Sequence, residues 1–396
     1  MRRMFVPVTV AIAALATVAA ADRAASRTIA RLDGTIVTPG AIDETVQRLM
    51  RAANVPGLAV AILNQRKVVY VHAFGERDRD RHLPLTIDSV MTAASFSKAA
   101  FACLVMQLVE EHTLDLDKPV YEYLPRPLPE YTRYADLEGD DRYRRITARM
   151  LLSHTAGFPN LRALNRGRLN INFEPGSRYA YSGEGMQLLQ LVVEEATGAQ
   201  LDRLMESRIF EPFGMTRTSM VWQLPFERDF ANGYDRDGRS LGPQRRRIAD
   251  AAGSMQTSIA DFSRFVAAVM QGRSLTRPTR TLMFTPQVTI TTRTQFPSLT
   301  TETTDRNDAI RLGYGLGWGL FFTPLGKAFF KEGHDAGWQH YAVAFDDRGV
   351  AIVLMSNSAN AESIFPELLD RLIANTYTPI EWEGYVPYDR QPPPSR

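Results

Sequence analysis

The sequence predicts an α+β fold: an antiparallel sheet flanked by helices and built from both ends of the chain, with a mainly helical region inserted between the two halves. Strand, turn and strand patterns near each end carry the first part of that expectation. A middle rich in helical periodicity and Pro/Gly breaks carries the second. A chain of 396 residues, 44% apolar and 23% charged, can bury a sizeable core and has the length of about two or three domains. The expected division is a leader over 1–21, a sheet domain made of 22–114 with 248–380, a helical region over 115–247 and a tail over 381–396.

The leader is read from Arg2 and Arg3, an apolar stretch from Phe5 to Val18, and the small residues Ala19, Ala20 and Ala21. These are the charged start, short apolar middle and cleavage site of a secretory signal. A membrane span fits less well, because the stretch is shorter than the ~20 residues required, contains Pro7 and is followed at once by Asp22 and Arg23. The mature protein is therefore expected in the periplasm or outside the cell, with no membrane insertion. Next comes a helix around Ala41 to Ala53, then two strands, Gly57 to Leu63 and Lys67 to Phe74, joined by the polar turn Asn64-Gln65-Arg66. From Ser95 the period becomes helical, with Phe96, Ala99, Cys103, Met106 and the pair Leu108 with Val109 recurring at spacings of three and four before Glu110-Glu111-His112. Met186 to Ala196 reads as a helix within the middle. Tyr341 to Phe345 and Val350 to Met355, joined by Asp346-Asp347-Arg348-Gly349, form a second strand pair, and a helix follows around Ser363 to Ala374. The tail, with Pro392-Pro393-Pro394, reads as an irregular strap or a disordered end. There is no internal repeat.

Composition excludes several classes of function. Forty-six Lys and Arg against 44 Asp and Glu leave a net charge of +2, without the basic footprint that phosphate backbones demand, so nucleic acid is not an expected partner. One cysteine, Cys103, excludes an intrachain disulfide framework or a Cys-rich zinc cluster, and six histidines show no His-Glu-x-x-His spacing. No metal or organic cofactor is expected, and the expected partner is a small-molecule or peptide substrate.

Lysine usage is the first chemical signal. The chain holds five Lys among its 46 basic residues, so a site that keeps lysine is a site that needs a proton released. Lys98 follows Ser95 by three residues, a spacing that puts both side chains on one helix face. A buried, deprotonated lysine there could take the serine proton, and the helix start would favour negative charge developing nearby. A helix start followed by a solvated lysine would give the same spacing. Ser95-Phe96-Ser97-Lys98 is, however, the one Ser-x-x-Lys in the chain, and further segments follow it in order.

These are Leu151-Leu152-Ser153-His154-Thr155-Ala156-Gly157, Tyr181-Ser182-Gly183 and Gly333-His334-Asp335-Ala336-Gly337. With Ala252-Gly253 and Tyr314-Gly315-Leu316-Gly317-Trp318, they span about 41–374. In this the chain resembles the serine β-lactamase and penicillin-binding protein superfamily, nearest to class C β-lactamases, DD-peptidases and related esterases. The resemblance implies a β-lactamase/transpeptidase-like fold with a cleft between the sheet and the helical region. It implies Ser95 as nucleophile, Lys98 and Tyr181 as proton carriers, and an acyl-enzyme later released by water. It further implies an oxyanion hole from the backbone N–H groups of Ser95 and Gly337, and a structural His154.

The departures from that pattern mark the expected substrate-binding positions. Gly183 stands where the Tyr-x-Asn motif has asparagine, Ala336 where the third motif has glycine, and His334 where it has lysine. Asp335 and Ala336 could narrow the edge strand, and Trp338 could form an apolar wall. The expected function is an exported serine hydrolase cleaving ester or amide bonds of small substrates. A true β-lactamase or DD-peptidase is the alternative, and a non-catalytic penicillin- or peptide-binding protein is the second alternative. An α/β-hydrolase is excluded, since no Gly-x-Ser-x-Gly elbow occurs.

Overall fold

The structure, a computed structural model, describes residues 28–273 and 275–391. The expected leader and residues 392–396 of the tail lie outside the described residues.

The centre is a nine-stranded sheet. In chain order its strands are β1 (Gly57–Asn64), β2 (Lys67–Asp78), β3 (Leu83–Pro84), β4 (Val288–Thr289), β5 (Gly313–Tyr314), β6 (Gly319–Thr323), β7 (Gly326–Asp335), β8 (Trp338–Phe345) and β9 (Val350–Ser356). Their spatial order is β4-β5-β6-β7-β8-β9-β1-β2-β3, antiparallel throughout. The two ends of the chain meet where β9 pairs with β1, Val353 opposite Ala61. Both strands are apolar at nearly every position because both faces are covered. Ala59, Ala61, Ala351 and Val353 join one apolar cluster, and Val60, Ile62, Ile352 and Leu354 join the other. Gln65 and Arg66, at φ 50° and 60°, make the two-residue turn from β1 to β2, whose handedness matches strand twist.

Helices cover both faces. On one face lie α1 (Pro39–Ala52), capped by Thr38, and, late in the chain, an amphipathic helix over Phe365–Ile373. On the other face lie α2 (Phe96–Glu110) and a helix over Ile259–Gln271. α2 is buried on nearly all sides, Lys98 included, so it runs through the middle of the molecule rather than along its surface.

Residues 115–247 carry α3 (Ala148–Leu152) and α4 (Gly183–Thr197) among short 3₁₀ turns and a small hairpin, Gly233–Tyr234 with Ser240–Gly242. Pro119, Pro125, Pro127 and Pro129 break the first part into turns, because proline removes a helix donor and restricts the residue before it. Side chains of this region pack into the same apolar cluster as α2. The strap after Pro379 is more ordered than an irregular end would be. Ile380–Glu383 is helical, Trp382 and Tyr385 are buried against the sheet, and Trp382 Nε1 donates to Thr292 Oγ1 at 3.2 Å.

Candidate active site

Ser95 sits at the cap of α2, held there by a tight local web. A short pairing of Met91–Thr92 with Gln256–Thr257 brings the chain in, Ala93 N–H bonds Met255 O at 2.8 Å, and Ala94 takes a left-handed φ of 49° to turn the chain into the helix. Ser97 fastens the turn, its hydroxyl donating to Ala94 O at 2.6 Å and accepting from Met255 N–H at 3.0 Å. The N–H of Ser95 has no hydrogen-bond partner among the described residues, as expected for a first-turn donor. One turn on, Lys98 Nζ lies 2.9 Å from Ser95 Oγ and donates to Ala252 O at 2.6 Å. Burial, helped by the positive charge of Lys331, pulls the Lys98 ammonium down to about 7.

Tyr181 comes from the segment just before α4. Ser182 caps that helix, accepting from Gly185 N–H at 2.8 Å and donating to Pro159 O at 2.9 Å. Behind it is His154, which follows the end of α3 with φ 59° and accepts the Ser182 N–H on Nδ1 at 3.2 Å. Its ring lies 4.4 Å from that of Tyr181. Burial pushes His154 well below its usual range, so it stays neutral and keeps the acceptor that fixes this segment. The Tyr181 hydroxyl accepts from Lys331 Nζ at 3.1 Å, and burial holds the phenol well above its ordinary value.

Sequence reasoning missed Lys331, although it is one of the chain's five lysines and opens a Lys-x-Gly triplet, Lys331-Glu332-Gly333. Its side chain is fully buried on the face of β7 that looks toward α2, and it pairs with Glu332 at 2.8 Å. Gly333 packs directly beneath the start of α2, where an added Cβ would come 2.9 Å from Ala93 O. This close approach corrects the expected register. Gly337, expected to supply the second oxyanion donor, occupies the two-residue turn between Asp335 and Trp338 and packs on Gly233 and Tyr234. In such a hairpin the closing pair bonds face to face, so alternate residues, His334 among them, turn N–H and C=O toward the other edge. That edge is open beyond Phe330, where the pairing with β6 ends.

The remaining expected positions separate. His334 and Asp335 line the cleft with Ser95, Lys98 and Gly183. The His334 imidazole is engaged by Glu362 at 2.6 Å and Tyr385 Oη at 3.0 Å; burial pushes it down, but Glu362 outweighs that and raises its pKa. Asp335 pairs with Arg246 at 2.8 Å. Ala336 is exposed at the hairpin tip. Trp338 is no cleft wall: it is buried, its indole nitrogen 2.8 Å from where a Cβ on Gly233 would sit.

Gly183 is filled in an unexpected way. A Cβ there would lie 2.8 Å from Asn160 O, and Asn160 occupies the space instead, its Oδ1 accepting the Gly183 N–H at 3.1 Å. Asn160 lines the cleft, and its Nδ2 has no partner among the described residues. Nothing in the sequence signalled this, since the two residues are 23 positions apart. The cleft holds about 740 Å³, with Leu161, Ile248 and the arginines 245–247 on its rim. Such a site can deprotonate a serine, stabilise an oxyanion and return a proton. Among the described residues no group of three or more His, Cys, Asp or Glu is placed to hold a metal ion, and no helix is long and apolar enough to cross a membrane.

Comparison with known proteins agrees with the architecture. A beta-lactamase family profile matches residues 42–374. The chain is 24% identical over 305 residues to a beta-lactamase of Pseudomonas fluorescens, covering 74% of this chain and 77% of that one. It is 26% identical over 358 residues to penicillin-binding protein 4 of Amycolatopsis lactamdurans, covering 83% and 88%. Its fold is similar to that of the octameric penicillin-binding protein homologue from Pyrococcus abyssi, with a TM-score of 0.69 at 22% identity over 89% of this chain and 79% of that one. Since the family match runs from α1 to the helix after β9, the chain belongs to the beta-lactamase family and is a serine hydrolase of that superfamily.

Proposed function

We propose that the protein hydrolyses ester or amide bonds of small substrates through an acyl-enzyme on Ser95. The observation that supports this most is the contact of a buried, easily deprotonated Lys98 with the Ser95 hydroxyl at 2.9 Å. Ser95 Oγ bonds to the carbonyl carbon as its proton passes to Lys98 Nζ, and the carbonyl oxygen takes the negative charge. The N–H groups of Ser95 and His334 receive that oxyanion. Collapse breaks the bond to the leaving group, which is protonated through Lys98 and Tyr181, and water then releases the acyl group by the same steps in reverse order. On this reading Lys331-Glu332-Gly333 holds the place of the family's Lys-Thr-Gly, three residues before the register expected from sequence.

A second reading, a β-lactamase or DD-peptidase, draws support from Asn160. Its unpartnered carboxamide nitrogen lies in the cleft beside Gly183 and could grip a substrate's amide carbonyl as the missing motif asparagine would. Export of the mature chain belongs to the same proposal and rests on Arg2, Arg3 and the apolar stretch after them. A panel of one p-nitrophenyl ester, nitrocefin and a D-Ala-D-Ala peptide, each with a Ser95→Ala control, tests these readings. Ser95-dependent turnover of the ester alone supports the first and removes the second. Rapid nitrocefin or peptide hydrolysis favours the second. Binding without turnover by the parent protein would refute both.

A further inference from the structure

Two of the chain's five lysines face one tyrosine ring. Lys98 Nζ lies 5.0 Å and Lys331 Nζ 4.8 Å from the Tyr181 centroid, both buried. The charge of Lys331 acts on Lys98, and two ammonium ions facing one ring out of water repel, so one should be neutral, and their partners differ. Lys331 donates to a carboxylate, Glu332 Oε1, at 2.8 Å and to the Tyr181 hydroxyl at 3.1 Å. Among the described residues Lys98 has no carboxylate within hydrogen-bond distance, only Ala252 O and Ser95 Oγ. An ammonium has three protons to place, whereas a neutral amine donates one to Ala252 and offers its lone pair to the Ser95 hydroxyl.

Glu332 is built into this arrangement. Its Oε1 also accepts from Gln295 Nε2 at 2.9 Å, and its Oε2 has no partner among the described residues. A buried carboxylate stays ionised only beside a compensating charge. Burial pushes Glu332 up, but the Lys331 ammonium outweighs it and holds the carboxyl below its usual range, with His334 adding in the same sense. The other titratable groups facing the pair supply no cation. Burial keeps Tyr179, Tyr314, Tyr341 and Tyr385 protonated, holds Glu383 far up as the neutral acid, and keeps His154 neutral. Glu362 is occupied by His334, and Asp250 acts on Lys98 only at a distance.

We propose that Glu332 is a positioning residue for charge: by fixing a proton on Lys331 it leaves Lys98 as the neutral amine that accepts the proton of Ser95. This rests on Lys98 acting as base, yet it can be read without turnover. With only five lysines, 15N-lysine labelling of the parent protein resolves each Nζ during a pH titration. Lys98 is expected to lose its proton while Lys331 keeps its own. Lys331 titrating together with Lys98, or before it, overturns the proposal.

Glu332→Gln gives a second test that keeps the shape and the hydrogen-bond partners. Without the carboxylate Lys331 gives up its proton. Lys98 then loses a repulsion that exceeds the attraction it loses from Glu332, so it holds its proton more tightly. The acid limb of kcat/KM for p-nitrophenyl acetate should move up by about one unit, a tenfold loss below the limb. Lys331→Met combined with Glu332→Gln should give the same profile as Glu332→Gln alone. A limb that stays or moves down shows that Lys331 kept its proton unaided and overturns the proposal. If Ser95→Ala retains ester turnover, the proposed function fails, and the lysine titration alone decides this inference.

Discussion

Gly183→Ala is the substitution whose cost follows most directly from geometry. Gly183 opens α4 without a left-handed φ, so the backbone tolerates alanine and the penalty is steric. The new methyl would sit 2.8 Å from Asn160 O and 3.3 Å from Asn160 Oδ1. Relief requires a retreat of about 0.6 Å to reach ordinary contact. That carbonyl accepts from Gly183 N–H at 3.0 Å and Glu184 N–H at 3.1 Å, so the same retreat breaks both bonds. Overpacking costs about 1–3 kcal/mol, and the two hydrogen bonds about 1 kcal/mol each. Alanine's helix preference returns up to about 1 kcal/mol, leaving a net loss of about 2–4 kcal/mol. The assay is urea unfolding beside Gly40→Ala, a glycine of α1 with nothing near its Cβ, which should be neutral or stabilising. Equal stability of Gly183→Ala and parent would show that Asn160 does not fill this space.

Lys98→Met should lower kcat by about a thousandfold, within the range of general base catalysis, with the fold retained by thermal melting. Because the Lys98 ammonium is pulled down to about 7, the neutral base dominates above that pH. Acylation rates should therefore rise with pH up to about 7 and level off beyond it, and a profile falling across that range would contradict the assignment. His154→Ala should cost about 3 kcal/mol through its cavity and lower kcat more than it changes KM, since the Ser182 N–H loses its acceptor and Tyr181 its support. Glu184, nearly buried, accepts from the Arg162 backbone and guanidinium and pairs with Arg133. Glu184→Gln should cost about 2 kcal/mol in denaturant unfolding, as hydrogen bonds to a charged group are the stronger ones.

The strands at the centre of the sheet were legible because double-sided burial writes a continuous apolar run, as in Gly57 to Leu63 and Val350 to Met355. The helix carrying Ser95 and Lys98 was legible from its period, and the pair from its spacing. The edge strands were not: Val288–Thr289 and Gly313–Tyr314 are two residues each, too short to show alternation. On the proposed reading the third motif lies three residues earlier, at Lys331-Glu332-Gly333, although Gly333-His334-Asp335-Ala336-Gly337 has the right letters for a glycine-rich strand end. Only pairing reveals that its last two residues are the hairpin turn. Lys331 was visible as a rare lysine, but its partnership with Tyr181 joins residues 150 positions apart. The same holds for Asn160 in the space beside Gly183, a contact that depends on how two loops cross.

The central claim, an acyl group carried on Ser95, is tested most directly by acid-quenching the protein during turnover of a p-nitrophenyl ester and measuring peptide masses. The account predicts an adduct of the acyl mass on the peptide containing Ser95, absent in Ser95→Ala and enriched when deacylation is slow. Undiminished turnover in Ser95→Ala, or an adduct on another residue, would contradict it.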